Sequence, residues 1–236
     1  MDTQKHIWQY AVPNEIAKVS IRQNWAAALD SNYFKVVVLV TLIVCGTIAT
    51  FLPYYFGYIQ ARAGMYITDP VLQLLTPVDV SLFIFALLYS CASICLGFLA
   101  YFPKFLLKGA WAYCILTCLR MIVMLFVPLE APKEMIYLVD PILSLIVYQE
   151  VTVTKDLFFS GHTATMAILA FGMPNKFLKA LFVFGTLIMA GLLLKQHVHY
   201  TVDVLVAPFF AYVAWKLAEK IEEKVFGEIS TVNSEN

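Results

Sequence analysis

Charge is scarce in this sequence, and the scarcity limits what kind of protein it can be. Only 14% of the 236 residues are charged and 61% are hydrophobic, whereas a soluble domain carries roughly 25% charged residues. With a mean hydropathy of +0.78, much of the surface has to face something other than water, and lipid is the simple answer. The net charge is zero and no basic groove is indicated, which argues against nucleic acid as a partner.

Metal-binding cysteine patterns are also missing. No C-x-x-C pair occurs, and all five cysteines lie inside apolar runs without a nearby histidine. A zinc site is conceivable because four of the cysteines form two pairs with i,i+4 spacing, but nothing else in the pattern supports it. We interpret the five as small, soft packing residues. They are Cys45, Cys91, Cys95, Cys114 and Cys118.

A cleavable signal peptide is not recognisable. The first apolar run begins near Val36, after a charged stretch, and is long enough to span a membrane. Before it, Ile16, Val19 and Ile21 could rest on the membrane surface, although the helical pattern there is weak. We predict a cytoplasmic N-terminal lead-in, a membrane domain and a polar C-terminal tail, at residues 1–35, 36–220 and 221–236.

Six apolar runs approach the length of about 20 residues that a membrane-spanning helix needs. The fourth is the shortest, and the acidic, proline-containing segment 129–156 reads as a loop with an interfacial turn around 135–147. The fold class predicted is therefore all-α, a bundle of six transmembrane helices in one polytopic domain. The predicted spans are residues 36–56, 79–101, 105–128, 157–173, 177–195 and 200–219.

Lysine and arginine placement predicts the orientation. With a cytoplasmic N-terminus, 11 of the 16 basic residues fall on the inside and 5 on the outside, as the positive-inside rule requires. Both termini are then cytoplasmic. His162 at the start of the fourth span, His199 and Asp203 at the start of the sixth, and Arg120 near the outer end of the third all come to the extracytoplasmic boundary. Ionisable groups at such a depth are functional by default.

These residue types suit phosphoryl transfer. His199 and Asp203 are spaced i,i+4 and share a helix face, so the carboxylate can fix the imidazole tautomer and leave the other nitrogen as nucleophile or base. His162 can protonate a leaving oxygen. The planar fork of Arg120 can hold phosphate oxygens, and the N–H groups of Gly161 and His162 at a helix start favour an anion. The pattern indicates a reaction through a phosphohistidine.

Several of these residues could have structural roles instead of catalytic ones. His199 could anchor at the interface beside Tyr200, and Asp203 could cap its helix or balance Lys195. Asp156 precedes Ser160 by one turn, which suits a cap or an orienting carboxylate.

Two further alternatives concern the histidines. His162, His199 and Asp203 could form a facial metal site, although metal-free chemistry is preferred because the His–Asp pair already has a sufficient role. Only one residue separates His197 from His199, which is too few to bring both side chains onto the same face. His197 therefore either supports the site residues without contacting substrate or faces solvent.

Two motifs resemble a known family. D-x-x-x-S-G-H-T at 156–163 (the first motif) and H-x-H-Y-T-x-D-V at 197–204 (the second motif) resemble the signatures of the sphingomyelin synthase family, within the type 2 phosphatidic acid phosphatase, or lipid phosphate phosphatase, superfamily. The R-x-x-x-M…P pattern at 120–128 is similar too, so the likeness covers the third to sixth helices.

The resemblance implies a metal-free and cofactor-free catalytic triad. His199 would be the nucleophile, Asp203 its orienting partner, and His162 the acid and then the base. Such enzymes move a phosphorylated headgroup from a glycerophospholipid donor to a lipid hydroxyl such as that of ceramide, and release diacylglycerol. Ser160, Gly161, Asp156, Arg120 and Lys195 would bind the substrate.

The sequence departs from the lipid phosphatases of that superfamily. No Lys-x6-Arg-Pro run occurs, and Leu193 and Leu194 stand where a Ser-Arg pair precedes the second histidine. A phosphate monoester carries nearly two negative charges and a diester one, so one Arg, with Lys195 or Lys155 nearby, suits the diester better. Headgroup transfer is therefore preferred to phosphatidate hydrolysis.

Three functions remain as expectations: the transferase, a lipid phosphatase with water as acceptor, and a non-enzymatic membrane protein or transporter. The last is disfavoured because the first, second and fifth helices carry no polar track. We expect an integral multi-pass protein with its site on the extracytoplasmic face of a bacterial inner membrane or a eukaryotic Golgi or plasma membrane.

Overall fold

The computed structural model describes residues 20–138, 153–173 and 175–232, with side chains described as far as Lys224. Within these ranges the chain is all-helical, as predicted, and has no strand. The helices are α1 Ile21–Asp30, α2 Asn32–Ala61, α3 Pro70–Gln73, α4 Ser81–Leu99, α5 Pro103–Phe126, α6 Gly161–Gly172, α7 Lys176–Lys195 and α8 Thr201–Val232.

Five of the described helices are long and apolar enough to cross a membrane. They have mean hydropathies between 1.4 and 2.5 and are α2, α4, α5, α7 and the part of α8 at Thr201–Lys224. This composition supports the predicted integral multi-pass protein. The fourth predicted span, 157–173, corresponds to α6, whose 12 residues extend about 18 Å, against a hydrocarbon core of about 30 Å. A sixth crossing, and the side of each terminus, stay predictions.

The short α6 lies at the centre of the bundle and contacts α4, α5, α7 and α8. Seven of its 12 residues are buried. Small residues on α8 let that helix approach α6 and α5 closely, which is how helices pack in membranes; they are Ala207, Ala211, Ala214 and Ala218. Because other helices pack around α6, most of its surface is sheltered from lipid.

The ends of the chain are more helical than predicted. α1 lies inside the predicted lead-in, and its Asn24 and Trp25 side chains donate to the carbonyls of Tyr101 and Ala100, both at 2.8 Å. α8 continues past 219 into the stretch predicted as a polar tail. Of the three residues predicted to rest on the membrane, Ile16 and Val19 lie outside the described residues, and Ile21 is exposed.

The predicted loop 129–156 has no helix in its described parts, 129–138 and 153–156. Residues 139–147 of the proposed interfacial turn lie outside the described residues. A short helix between α2 and α4, α3, was not predicted, and it bears directly on the geometry of the second motif.

Candidate active site

A buried histidine–aspartate pair begins α8. His199 Nδ1 lies 3.2 Å from Asp203 Oδ2, and the two side chains are 4% and 0% exposed. The same carboxylate oxygen accepts from the Tyr200 N–H at 3.2 Å. With Nδ1–H donating to the carboxylate, the imidazole is held in one tautomer and Nε2 keeps its lone pair. The i,i+4 spacing therefore produces the contact that the sequence predicts.

The first motif is held against the second by backbone and cap hydrogen bonds. The Ser160 N–H donates to the Asp203 carbonyl at 3.1 Å, and Ser160 Oγ accepts from the Thr163 N–H at 3.3 Å as the N-cap of α6. Ser160 is therefore a structural junction between the starts of α6 and α8. Two residues further on, the His162 ring lies edge-on to Phe85 with 6.2 Å between centroids.

Arg120 reaches the start of α6 from α5. It pairs with Asp156 at 2.5 Å, and its Nε donates to the Phe159 carbonyl at 3.3 Å. A Cβ added to Gly161 would lie 2.6 Å from Arg120 Cζ, closer than side chains pack. Glycine at 161 is what allows the guanidinium to lie over the N-terminus of α6, where an anion would be stabilised.

A cavity of about 480 Å³ joins this charged group to the membrane interior. Arg120, Asp156, Gly161 and His162 line its polar part. Exposed Leu96 of α4 and Tyr113 of α5 also line it, so it opens toward lipid between these helices. Apolar side chains of α4, α5, α6 and α8 form most of the remaining wall.

Not every predicted site residue reaches this cavity. The cavity's lining does not include His199, Asp203 or Lys195. Ser160, also predicted to bind substrate, is likewise absent from the lining, but its contact with Asp203 holds the His199–Asp203 pair beside the lining residues Gly161 and His162. Lys195 ends α7, where its carbonyl accepts from the Val78 N–H at 3.1 Å. Lys155, considered as another cation for phosphate, is paired with Glu130 at 2.8 Å.

His197 does not face solvent, so that alternative is wrong. Its side chain is buried, and Nε2 lies 3.0 Å from the Leu75 carbonyl oxygen. Its φ of 57° is in the left-handed region, which non-glycine residues seldom adopt. This turn of the chain lets His197 and His199 point to different surroundings although only one residue separates them.

Asp69 is a contributor that sequence reasoning missed. Its carboxylate accepts from the Thr201 N–H at 2.6 Å and from Thr201 Oγ1 at 3.0 Å, and it also caps α3 through Val71 and Leu72. Burial raises the pKa of Asp69, but the hydrogen bonds from Thr201 and Leu72 outweigh it and hold the pKa below its usual value. The Asp69-Pro70 pair is typical of a helix start and could have predicted the cap of α3. It does not predict the contact with Thr201.

Asp69→Asn is expected to destabilise the protein by about 1–3 kcal/mol, because an amide NH₂ replaces one of the two acceptor oxygens and leaves either the Thr201 N–H or the start of α3 without its acceptor. Because folding lowers the pKa of Asp69, its contribution is complete above the unfolded pKa of about 3.9 and disappears as the pH falls through the folded pKa. Melting temperatures of both proteins across acid pH should therefore converge at the lowest pH.

Asp79→Asn is the matched control for Asp69→Asn. Asp79 also accepts from a helix-start N–H, that of Ser81 at 3.0 Å, and its pKa is also lowered, but it is exposed and touches neither motif. A loss of stability in Asp79→Asn as large as in Asp69→Asn would contradict a special role for Asp69.

A comparison with protein families adds one observation about this region. Residues 153–220 match the PAP2 superfamily C-terminal model. The matched region contains α6, α7, the start of α8 and both histidine motifs. No curated protein matches the chain significantly.

The match covers less than half of the chain, and it supports a similarity to the type 2 phosphatidic acid phosphatase superfamily. Members of the superfamily are phosphatase-type enzymes, consistent with an enzyme that acts on membrane lipids. The match lies where the His199–Asp203 pair and the cavity-lining His162 are held together, so family and geometry point to the same part of the molecule.

Proposed function

We propose that the protein is a membrane phosphotransferase that moves a phospho-headgroup from a glycerophospholipid to a lipid hydroxyl, such as that of ceramide, through a phosphohistidine. The observation that carries the proposal is the buried His199–Asp203 contact of 3.2 Å, fastened through Ser160 to a cavity lined by Arg120 and His162. The acid and the anion-binding group then line one cavity, and the nucleophile is held beside it.

In the first step, His199 Nε2 attacks phosphorus. The N–P bond forms as the bond from phosphorus to the glycerol oxygen breaks, and His162 as imidazolium gives its proton to that oxygen, so diacylglycerol leaves. Asp203 stabilises the positive charge that develops on His199. Arg120 and the N–H groups at the start of α6 balance the negative charge on the phosphoryl oxygens.

In the second step, the acceptor hydroxyl gives its proton to His162 while its oxygen attacks phosphorus. The N–P bond breaks, its electron pair returns to His199, and the headgroup is now carried by the acceptor lipid. His162 is again an imidazolium, and Asp203 has kept one tautomer of His199 throughout. The cycle uses no group beyond those of the chain and its two lipids.

The cavity supports a lipid rather than a water-soluble substrate. Its wall is mostly apolar, and it opens between Leu96 and Tyr113, so a phospholipid could enter sideways from the bilayer with its phosphate at Arg120. We place this polar opening on the extracytoplasmic face, as the distribution of basic residues predicts. The single arginine, paired with Asp156, suits a singly charged diester.

Hydrolysis is the second candidate, favoured by the PAP2 match, because water could replace the acceptor hydroxyl in the second step. Purified protein given a glycerophospholipid labelled in the headgroup, with and without ceramide, distinguishes the two. Label transferred to ceramide is the expected result. Free phospho-headgroup in equal amount under both conditions would establish hydrolysis instead. No lipid turnover by the purified protein, together with cellular lipid turnover that survives His199→Ala, would favour a non-enzymatic protein or transporter.

A further inference from the structure

The cavity extends along the whole of α6. Gly161 and His162 line it at one end of the helix and Gly172 at the other, and eleven residues of α-helix rise about 16 Å. Half of a hydrocarbon core of about 30 Å is about 15 Å. The cavity is therefore about as long as one leaflet is thick. A volume of about 480 Å³ spread over that length corresponds to a narrow channel. These dimensions suit one extended hydrocarbon chain.

The deep end of the cavity is closed by three residues. A Cβ added to Gly172 would lie 3.7 Å from both Cys95 Sγ and a Trp215 ring carbon, and all three residues line the cavity. The Trp215 ring is held in place by Lys108 Nζ at 5.1 Å from its centroid and by Phe171. Because these contacts hold the Trp215 ring and Gly172 opposite it has no side chain, the two residues limit the cavity at its deep end, which we call the floor.

We propose that Gly172, Cys95 and Trp215 form the floor of an acyl-chain site and set the longest chain that the protein accepts. This rests on the proposed function, since the chain belongs to the lipid whose phosphate lies at Arg120. With the phosphate fixed at one end, a chain longer than the cavity has to bend or leave methylenes outside. Because methylenes left outside the cavity lie in lipid rather than water, the penalty for a longer chain comes from strain and lost packing contacts.

Gly172→Leu tests the floor. The contacts of 3.7 Å at the added Cβ are ordinary ones, so a side chain can begin at residue 172, and the rest of the leucine is expected to fill the deep end. Binding is measured by native mass spectrometry with diacylglycerols whose chains lengthen by two carbons at a time. We expect affinity for the longest chains to fall by roughly fivefold or more, the effect of about 1 kcal/mol of steric strain, while the shortest chains bind as in the unchanged protein.

Gly97→Leu is the matched control. Gly97 is on α4 and exposed, and a Cβ there meets no described atom within 4 Å. Trp215→Leu is the opposite change and should extend the preference to longer chains. Equal length profiles for Gly172→Leu and Gly97→Leu, or no shift in either floor variant, would overturn the proposal.

Binding and turnover are measured independently, so the floor proposal and the proposed function can be tested separately. If the chain-length shift appears but no headgroup is ever transferred or released, the floor stands and the proposed function fails. If turnover is normal and Gly172→Leu leaves both the binding profile and the chain-length dependence of kcat/KM unchanged, the proposed function stands and the floor is wrong.

Discussion

His199→Ala is expected to lower the release of diacylglycerol by at least about 10⁴-fold, because it removes the proposed nucleophile, whose Nδ1 contacts Asp203. Asp203→Asn should cost about 10³–10⁴-fold, since an amide no longer selects the correct tautomer of His199. Purified proteins assayed with one glycerophospholipid at saturating concentration provide the comparison.

His197→Asn is the control for the nucleophile. It removes an imidazole from the same motif, and asparagine tolerates the left-handed backbone of residue 197. His197 contacts Leu75 rather than Asp203, so activity should stay within about tenfold of the original. Activity retained by His199→Ala, or lost equally in His197→Asn, would contradict the assignment of the nucleophile.

The second large effect is expected at Arg120. Arg120→Ala should lower kcat/KM by roughly 10²–10³-fold, the loss seen when a group that stabilises transition-state charge is removed. Arg120→Lys should recover only part of it, because an ammonium lacks the planar fork. Gly161→Ala should reproduce part of the loss with Arg120 still present, because the added Cβ would lie 2.6 Å from its Cζ.

Steady-state kinetics of these variants, with melting temperatures as a check on folding, provide the measurement. Lys133→Met is the control for net charge: Lys133 lies over the ring of Tyr66, with Nζ 5.7 Å from the centroid, and does not line the membrane cavity. A loss in Lys133→Met equal to that in Arg120→Ala would indicate a general electrostatic effect. An unchanged kcat/KM in a folded Gly161→Ala protein would contradict the close packing of Arg120.

The features that could be predicted from the sequence depend on the spacing of residues close together in the chain. The His199–Asp203 contact follows from helical periodicity within one segment, and the spans follow from apolar runs whose lengths the bilayer sets. The apolar run 157–173 was longer than the helix it contains. Ser160 caps α6 and delays its start to Gly161, leaving a helix too short to cross a bilayer on its own.

Long-range contacts explain what could not be predicted. Asp69 meets Thr201 across 132 positions of sequence, and the pattern around either residue does not specify the other. The cavity depends on how α4, α5 and α6 are rotated about their axes, which apolar runs leave undetermined because those runs are hydrophobic on all sides. The sequence predicts Lys195 at the same membrane depth as the site, because it ends the fifth predicted span. In the structure Lys195 lies at the end of α7 and does not line the cavity.

The most direct test of the account is rapid quenching of the purified protein with its donor lipid, followed by mass spectrometry at alkaline pH, where a nitrogen–phosphorus bond survives. The account predicts a phospho-headgroup attached to His199, formed as diacylglycerol is released and discharged when ceramide is added. An adduct on His162, or full turnover with no adduct on any histidine, would contradict it.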